Sequence, residues 1–242
     1  MMMPSIFGEK FFDDFYDDFE NEFFGRKNPL YGKHSKNMMK TDIRETDHSY
    51  ELDIDLPGYN KEDIDIRVKY PVYKYHKLNK VITKNVNYYL KDNIDDYYFL
   101  YIDYKDYEYK EYISIVLYIS YFTGGAHPNY EIKTINYNKN TNKFIDIDNL
   151  ISRNKDILNK LSIYSREYFS NNDMFKDKVI FDMMIDGTKG IKDNYKYFNI
   201  TSGGLIVYFN RYQIAPYYYG DYSITIPYNY LDLSIWNIQV IW

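Results

Sequence analysis

Between Lys40 and Val68 apolar and polar positions alternate. Tyr50, Leu52, Ile54 and Leu56 fall on one side of an extended segment, and Glu51, Asp53 and Asp55 on the other. A period of two predicts a strand with one buried face. Ile43 leads into a turn at Thr46–Ser49, Pro57-Gly58 breaks the pattern, and Ile64, Ile66 and Val68 resume it as a further strand. Upstream the spacing changes. Phe7, Phe11, Phe15, Phe19 and Phe23 recur every fourth residue, with Asp13, Asp14, Asp17, Asp18, Glu20 and Glu22 between them. At about 100° per residue this is a slowly drifting helical stripe that needs an apolar partner. The body of the same chain could cover it, or it could serve as a sticky arm for oligomers or unfolded clients.

Beyond residue 69 the chain becomes rich in Tyr and Asn. Tyr70-Pro71 reads as extended chain. Leu78, Val81, Ile82, Val86, Tyr89, Leu90 and Ile94 predict a helix over 78–96. The β-branched and aromatic stretch 97–122 predicts strands. Further strands are predicted at 129–138 and 143–147, joined by a turn at Asn138–Asn142. A helix follows from Leu150 to Phe169, then a hairpin of 195–200 and 204–210 around Thr201–Gly203, and a late strand from Ser223 to Ile226 ended by Pro227. The expected fold is α+β: an antiparallel sheet with flanking helices, preceded by an incomplete β-sandwich fragment. The composition shift divides the chain into residues 1–68 and 69–242, the latter with a smaller leading module, 69–122, and a main module, 123–242. Residues 69–242 are expected to contain their own core and to fold alone.

Composition narrows the function. With 45% apolar and 27% charged residues, the chain of 242 is globular rather than disordered. A formal charge of −5 and the lack of a basic stripe argue against nucleic acid. There is no cysteine, which removes thiolate chemistry and disulfides. The longest apolar run, Tyr112 to Phe122, is too short to span a membrane, and the acidic N-terminus is not a secretory signal. The chain as written is therefore expected to be cytoplasmic. Its 32 tyrosines are explained more readily by an AT-rich genome than by a dedicated aromatic surface.

Chemistry finds little support. His34, His48, His76 and His127 show no paired metal-ligand spacing, and there is no phosphate-binding loop or nucleophile elbow. No catalytic residue, metal site or cofactor is predicted. Asp92, Asp95 and Asp96 read as a solvated polar turn. Two turn-rich segments are candidate protein-binding loops. The first holds Gly124, Gly125, His127, Pro128 and Asn129; its glycines permit tight or positive-φ backbone and its proline stiffens the exit. The second holds Pro216, Tyr217, Tyr218 and Tyr219, a rigid turn with large contact surfaces. Each has a plainer reading: a fold-defining turn whose His127 bonds a neighbouring carbonyl, and core closure by Ile214 with alternating tyrosines.

Two resemblances attach to these segments. The stretch NEFFGRKNPLYGKHSKNMMKTDIRETDHSYELDIDLPGYNKEDIDIRV, within residues 1–68, resembles the start of bacterial small heat-shock proteins of the α-crystallin family. It implies the first strands of a β-sandwich and a holdase for unfolded client proteins. The later strands and tail of that family are absent after Val68. The stretches SIVLYISYFTGGAHPNYEIKTINYNKNTNKFIDIDNLI and YFNITSGGLIVYFNRYQIAPYYYGDYSITIPYNYL resemble the extracytoplasmic domain of RsiV-type anti-sigma factors, also found beside some peptidoglycan deacetylase domains. That resemblance covers residues 69–235. It implies a non-catalytic α+β domain whose relatives lie outside the cytoplasm and recognise a lysozyme-like protein. Three readings stand: a protein-binding domain, a small heat-shock-like chaperone, and a join near residue 69 that is an artefact of fusion or assembly.

Overall fold

The computed structural model describes residues 40–45, 49–55, 65–90, 97–124 and 127–233, the first two segments as backbone only. The Phe7–Phe23 stripe, Pro57-Gly58, His34, His48, Gly125 and the Asp92, Asp95 and Asp96 turn lie outside them.

Among the described residues, β1 (Lys40–Glu45), β2 (Ser49–Asp55), β3 (Asp65–Pro71), β4 (Phe99–Tyr109), β5 (Tyr112–Phe122), β6 (Asn129–Asn138) and β7 (Lys143–Phe144) form one sheet in chain order. Neighbours are antiparallel except β3 and β4, which run parallel. A parallel pair needs a crossover, and helix α1 (His76–Leu90) lies between them in the chain. Its buried residues Leu78, Ile82, Val86 and Tyr89 repeat at helical spacing and pack with Ile66, Val68, Leu100, Ile102, Ile113 and Ile115.

Strand β5 explains why its run of residues shows no apolar–polar alternation. Ile113, Ile115, Leu117 and Ile119 belong to the core beneath α1. The alternate positions Ser114 and Val116 meet a second sheet of β8 (Phe198–Thr201), β9 (Gly204–Phe209) and β10 (Tyr222–Ile226), in the order β10-β9-β8. A strand covered on both sides loses its period of two. The contact between the sheets carries a polar seam. Asn136 donates to the Phe198 carbonyl at 2.9 Å, Asn199 to the Ile115 carbonyl at 3.1 Å, and the Tyr208 hydroxyl to Asn199 at 2.9 Å. The Ile200 amide donates to the Ser114 hydroxyl at 3.1 Å.

The outer face of the second sheet presents Phe198, Ile200, Leu205, Val207, Phe209, Ile224 and Ile226 to helices α2 (Ile147–Arg153), α3 (Ile157–Ser170) and α4 (Lys178–Gly187). The layers thus run helix, sheet, sheet, helices: an α+β fold. The helix predicted over 150–169 is two. Asn154 divides them, accepting from the Asp156 amide and donating to the Leu231 carbonyl, each at 2.9 Å. Asp146, expected at the end of a strand, instead caps α2 with Asn149 in a reciprocal pair. Helix α4 was not expected; Asp177 caps it by accepting from the Val179 and Ile180 amides.

Residue 69, where composition changes, falls inside β3. On one edge β3 pairs with β2 and on the other with β4, and Ile66 and Val68 are buried under α1. The strands expected to begin an incomplete β-sandwich therefore continue the seven-stranded sheet.

Candidate functional site

The two candidate loops meet at one end of the layered sheets. The first follows β5. Gly124 takes φ +95°, and a Cβ there would meet Tyr98 at an ordinary 3.6 Å, so the position asks for glycine through backbone conformation rather than crowding. Pro128 is buried, and Asn129 is exposed at the start of β6. The second loop follows β9. Asn210 to Gln213 form a tight turn in which the Gln213 amide donates to the Asn210 carbonyl at 2.9 Å. The Gln213 side chain returns the bond to the Asn210 amide with its oxygen, while its nitrogen donates to the Gly187 and Asn194 carbonyls at 3.0 Å each. Gly187 allows this approach: a Cβ would sit 1.9 Å from the Gln213 carbonyl oxygen. Ile214 and Ala215 then enter the core, and Pro216 leads into a single 3-10 turn, Tyr217–Tyr219, closed by Gly220 at φ +79°.

A pile of one stacked pair and flat groups tilted against it joins the loops, the Tyr130 and Tyr217 rings meeting at 6.2 Å and 56°. The Arg211 guanidinium lies with its Cζ 3.6 Å from the centre of the Tyr130 ring and 4.5 Å from that of Tyr217. The Tyr217 ring stacks in turn on His127 at 3.9 Å and 24°. The Tyr217 hydroxyl donates to the Pro128 carbonyl at 2.6 Å, tying the second loop to the first. His127 Nδ1 lies 3.0 Å from that same carbonyl, which assigns the proton to Nδ1 and leaves Nε2 to accept from the Tyr212 hydroxyl, 3.4 Å away. Asp221 stands beside Arg211: its Oδ1 accepts from the Arg211 amide at 3.0 Å and its Oδ2 is 3.8 Å from the Arg211 Nε. The two side chains are only 13% and 11% exposed. Burial raises the Asp221 carboxyl above its ordinary value, and the charge and amide of Arg211 oppose that shift.

The structure thus brings His127, Pro128 and Tyr217 together. Tyr218 lies outside the pile, 74% exposed, its ring 4.1 Å from that of Tyr219. Tyr130, Arg211, Tyr212 and Asp221 were not foreseen. Tyr212 is 57% exposed and holds φ +64°, a left-handed conformation unusual for a bulky side chain. That backbone state leaves no mark in the sequence, and the contacts of Arg211 join segments about eighty residues apart.

Glu131, on the α1 side of the sheet, is a second polar cluster. It accepts from Tyr89 at 2.9 Å and Tyr121 at 3.1 Å and pairs with Lys133 at 2.9 Å. Burial works to raise its carboxyl, but the hydrogen bonds from Lys133, Tyr89 and Tyr121 outweigh it and hold the group below its ordinary value. Among the described residues no group of three or more His, Asp and Glu could hold a metal ion, and no helix is long and apolar enough to cross a membrane.

Residues 148–229 match the family described as protein of unknown function, DUF3298. The 211–219 loop lies within that match and the 124–130 turn outside it. The chain is 31% identical over 172 residues to the peptidoglycan-N-acetylmuramic acid deacetylase PdaC of Bacillus subtilis, an alignment covering 66% of this chain and 36% of that protein. It is 40% identical over 87 residues to small heat shock protein C2 of Rickettsia felis, covering 35% of this chain and 53% of that one. The chain therefore spans about a third and about half of these two relatives. A crystal structure of a DUF3298 family protein from Pseudomonas aeruginosa shares the fold, with a TM-score of 0.61 at 16% identity over 82% of this chain and 94% of the other.

Proposed function

We propose that the DUF3298-type part of the chain is a non-enzymatic protein-binding unit and that the joined loops form its recognition surface. The observation that supports this most is the pile itself: two turns far apart in sequence are locked together by stacking, and two tyrosines, Tyr212 and Tyr218, remain outward. Tyrosine offers a large rigid contact surface at low entropy loss and is enriched at interfaces. His127 engages a backbone carbonyl, a tyrosine ring and a tyrosine hydroxyl, an arrangement that stabilises a turn rather than activating a nucleophile. The partner is a lysozyme-like protein, as the resemblance to RsiV-type domains implies.

Titration of the full chain with lysozyme tests the reading. Tyr218→Ala should weaken binding roughly 30-fold, from a hot-spot loss of about 2 kcal/mol. Its thermal unfolding should stay within a degree or two, because the ring is mostly in solvent. Absence of binding at about 100 μM by the folded chain rejects a lysozyme-like partner.

The similarity to small heat shock protein C2 favours a second reading, a holdase for unfolded clients. Its test is suppression of client aggregation that is lost on deleting residues 1–25.

A further inference from the structure

We propose that Arg211 is the positioning residue of this surface: packed against both Tyr130 and Tyr217, whose tilted rings also meet each other at 6.2 Å, and tethered to Asp221, it fixes the orientation in which Tyr212 and Tyr218 meet a partner. The inference rests on reading these loops as a binding surface, and it divides their residues into two roles. Tyr217 and His127 are internal pillars. Tyr218 and the exposed side of Tyr212, whose ring also packs on Tyr217 at 5.5 Å, are the contact rings.

The geometry carries the division. A guanidinium that is 13% exposed needs compensation for its lost hydration. Its Nε makes no hydrogen bond among the described residues, so the compensation comes from two ring faces and one carboxylate. A planar guanidinium packed into the corner formed by two tilted rings favours one relative placement of them, which a point charge on a flexible stem does not. Tyr130 belongs to the seven-stranded sheet, and Tyr217 to the loop leading into β10 of the second sheet. The wedge therefore fixes one sheet's turn against the other sheet's loop. Arg211 also precedes Tyr212 directly, so the anchored residue sets the starting direction of the residue held at φ +64°. A bulky residue in the left-handed region is strained by about 1–2 kcal/mol and persists only where its surroundings enforce it. The enforcing contacts here are the Asp221 bond to the Arg211 amide and the Gln213 bonds to Gly187 and Asn194. A surface held in its bound form in advance loses less entropy on binding.

The test uses the full chain with Arg211→Met, Arg211→Lys and Tyr218→Ala. The first readout is the proton resonances of the His127 imidazole, assigned with His127→Gln. Stacked on Tyr217, they should carry a ring-current shift in the native chain. Arg211→Met should abolish most of that shift and weaken lysozyme binding about tenfold while the rest of the spectrum stays dispersed. Arg211→Lys, which keeps the charge, should fail to restore either. Tyr218→Ala should weaken binding and leave the His127 shift intact. The proposal is overturned if Arg211→Met retains the shift, or if Arg211→Lys restores it fully. Should the native chain not bind lysozyme at all, the choice of partner fails, and the imidazole shift alone decides the positioning role.

Discussion

The two faces of β5 are covered by different chemistry. Towards α1 the strand offers Ile113, Ile115, Leu117 and Ile119 to a helix that answers with Leu78, Ile82 and Val86. Towards the second sheet it offers Ser114 and Val116, and its Ile115 carbonyl takes a bond from Asn199. Hydrophobic burial is non-directional and tolerates small shifts of one layer on another. Buried hydrogen bonds do not, because a slipped layer leaves donors and acceptors unpaired. The first face thus supplies stability, and the second adds a fixed register between the sheets. That register matters for the loops, since the pile of Tyr130, Arg211 and Tyr217 forms only if both sheets present their ends in step.

Substitution on the two faces should separate these contributions. Ile82→Ala removes a fully buried side chain from the α1 face and should destabilise by about 4 kcal/mol, read as a shift of the urea midpoint. Native-like signals from the Tyr130–Arg211–Tyr217 pile should survive wherever the variant is still folded. Asn199→Ala removes the donor to Ile115 and the acceptor for Tyr208. It should destabilise less, by about 2 kcal/mol, yet broaden the resonances of residues 127–130 and 211–219. An Asn199→Ala chain with sharp, unshifted loop signals would show that the seam does not set the register.

A smaller effect should appear in acid. The Glu131 carboxyl sits below its ordinary value of 4.5 in the folded chain. Its stabilising contribution is therefore complete above that pH and is lost as pH falls through the lower, folded value. Glu131→Gln should flatten the fall in urea midpoint below pH 4.5 and change little near neutrality beyond a constant offset. An identical acid slope in both chains would place the acid-sensitive group elsewhere. Asp221, raised by burial, has the opposite sign: its contribution grows as pH falls through its folded value.

Much of the fold could be read from residue patterns because its elements are locally marked. Leu78, Ile82 and Val86 announce α1, Asn138–Asn142 the turn into β7, and Thr201–Gly203 the β8–β9 hairpin. Helix α4 was less visible because VIFDMMI is apolar on several sides, although Asp177 followed by Ile180 and Met184 carries the cap and spacing of a helix. The break at Asn154 was hidden because its reason is a bond to Leu231, far along the chain. The candidate site divides in the same way. Glycine, proline and clustered tyrosines mark 124–129 and 216–219 as shaped loops. Nothing local marks Arg211, which is an ordinary cation until the fold packs two rings against it.

The continuity of β3 through residue 69 bears on how such a gene could have been assembled. A join of two coding regions at that codon would fall in mid-strand, after Ile66 and Val68 had already been placed under α1. An open reading frame starting there would leave the core beneath the helix short of two side chains and the flank of β4 without most of its hydrogen-bonded neighbour. A bare flank of that kind invites another chain to pair with it. Whatever the ancestry of the first sixty-eight codons, their last few now close a sheet edge that belongs to the rest.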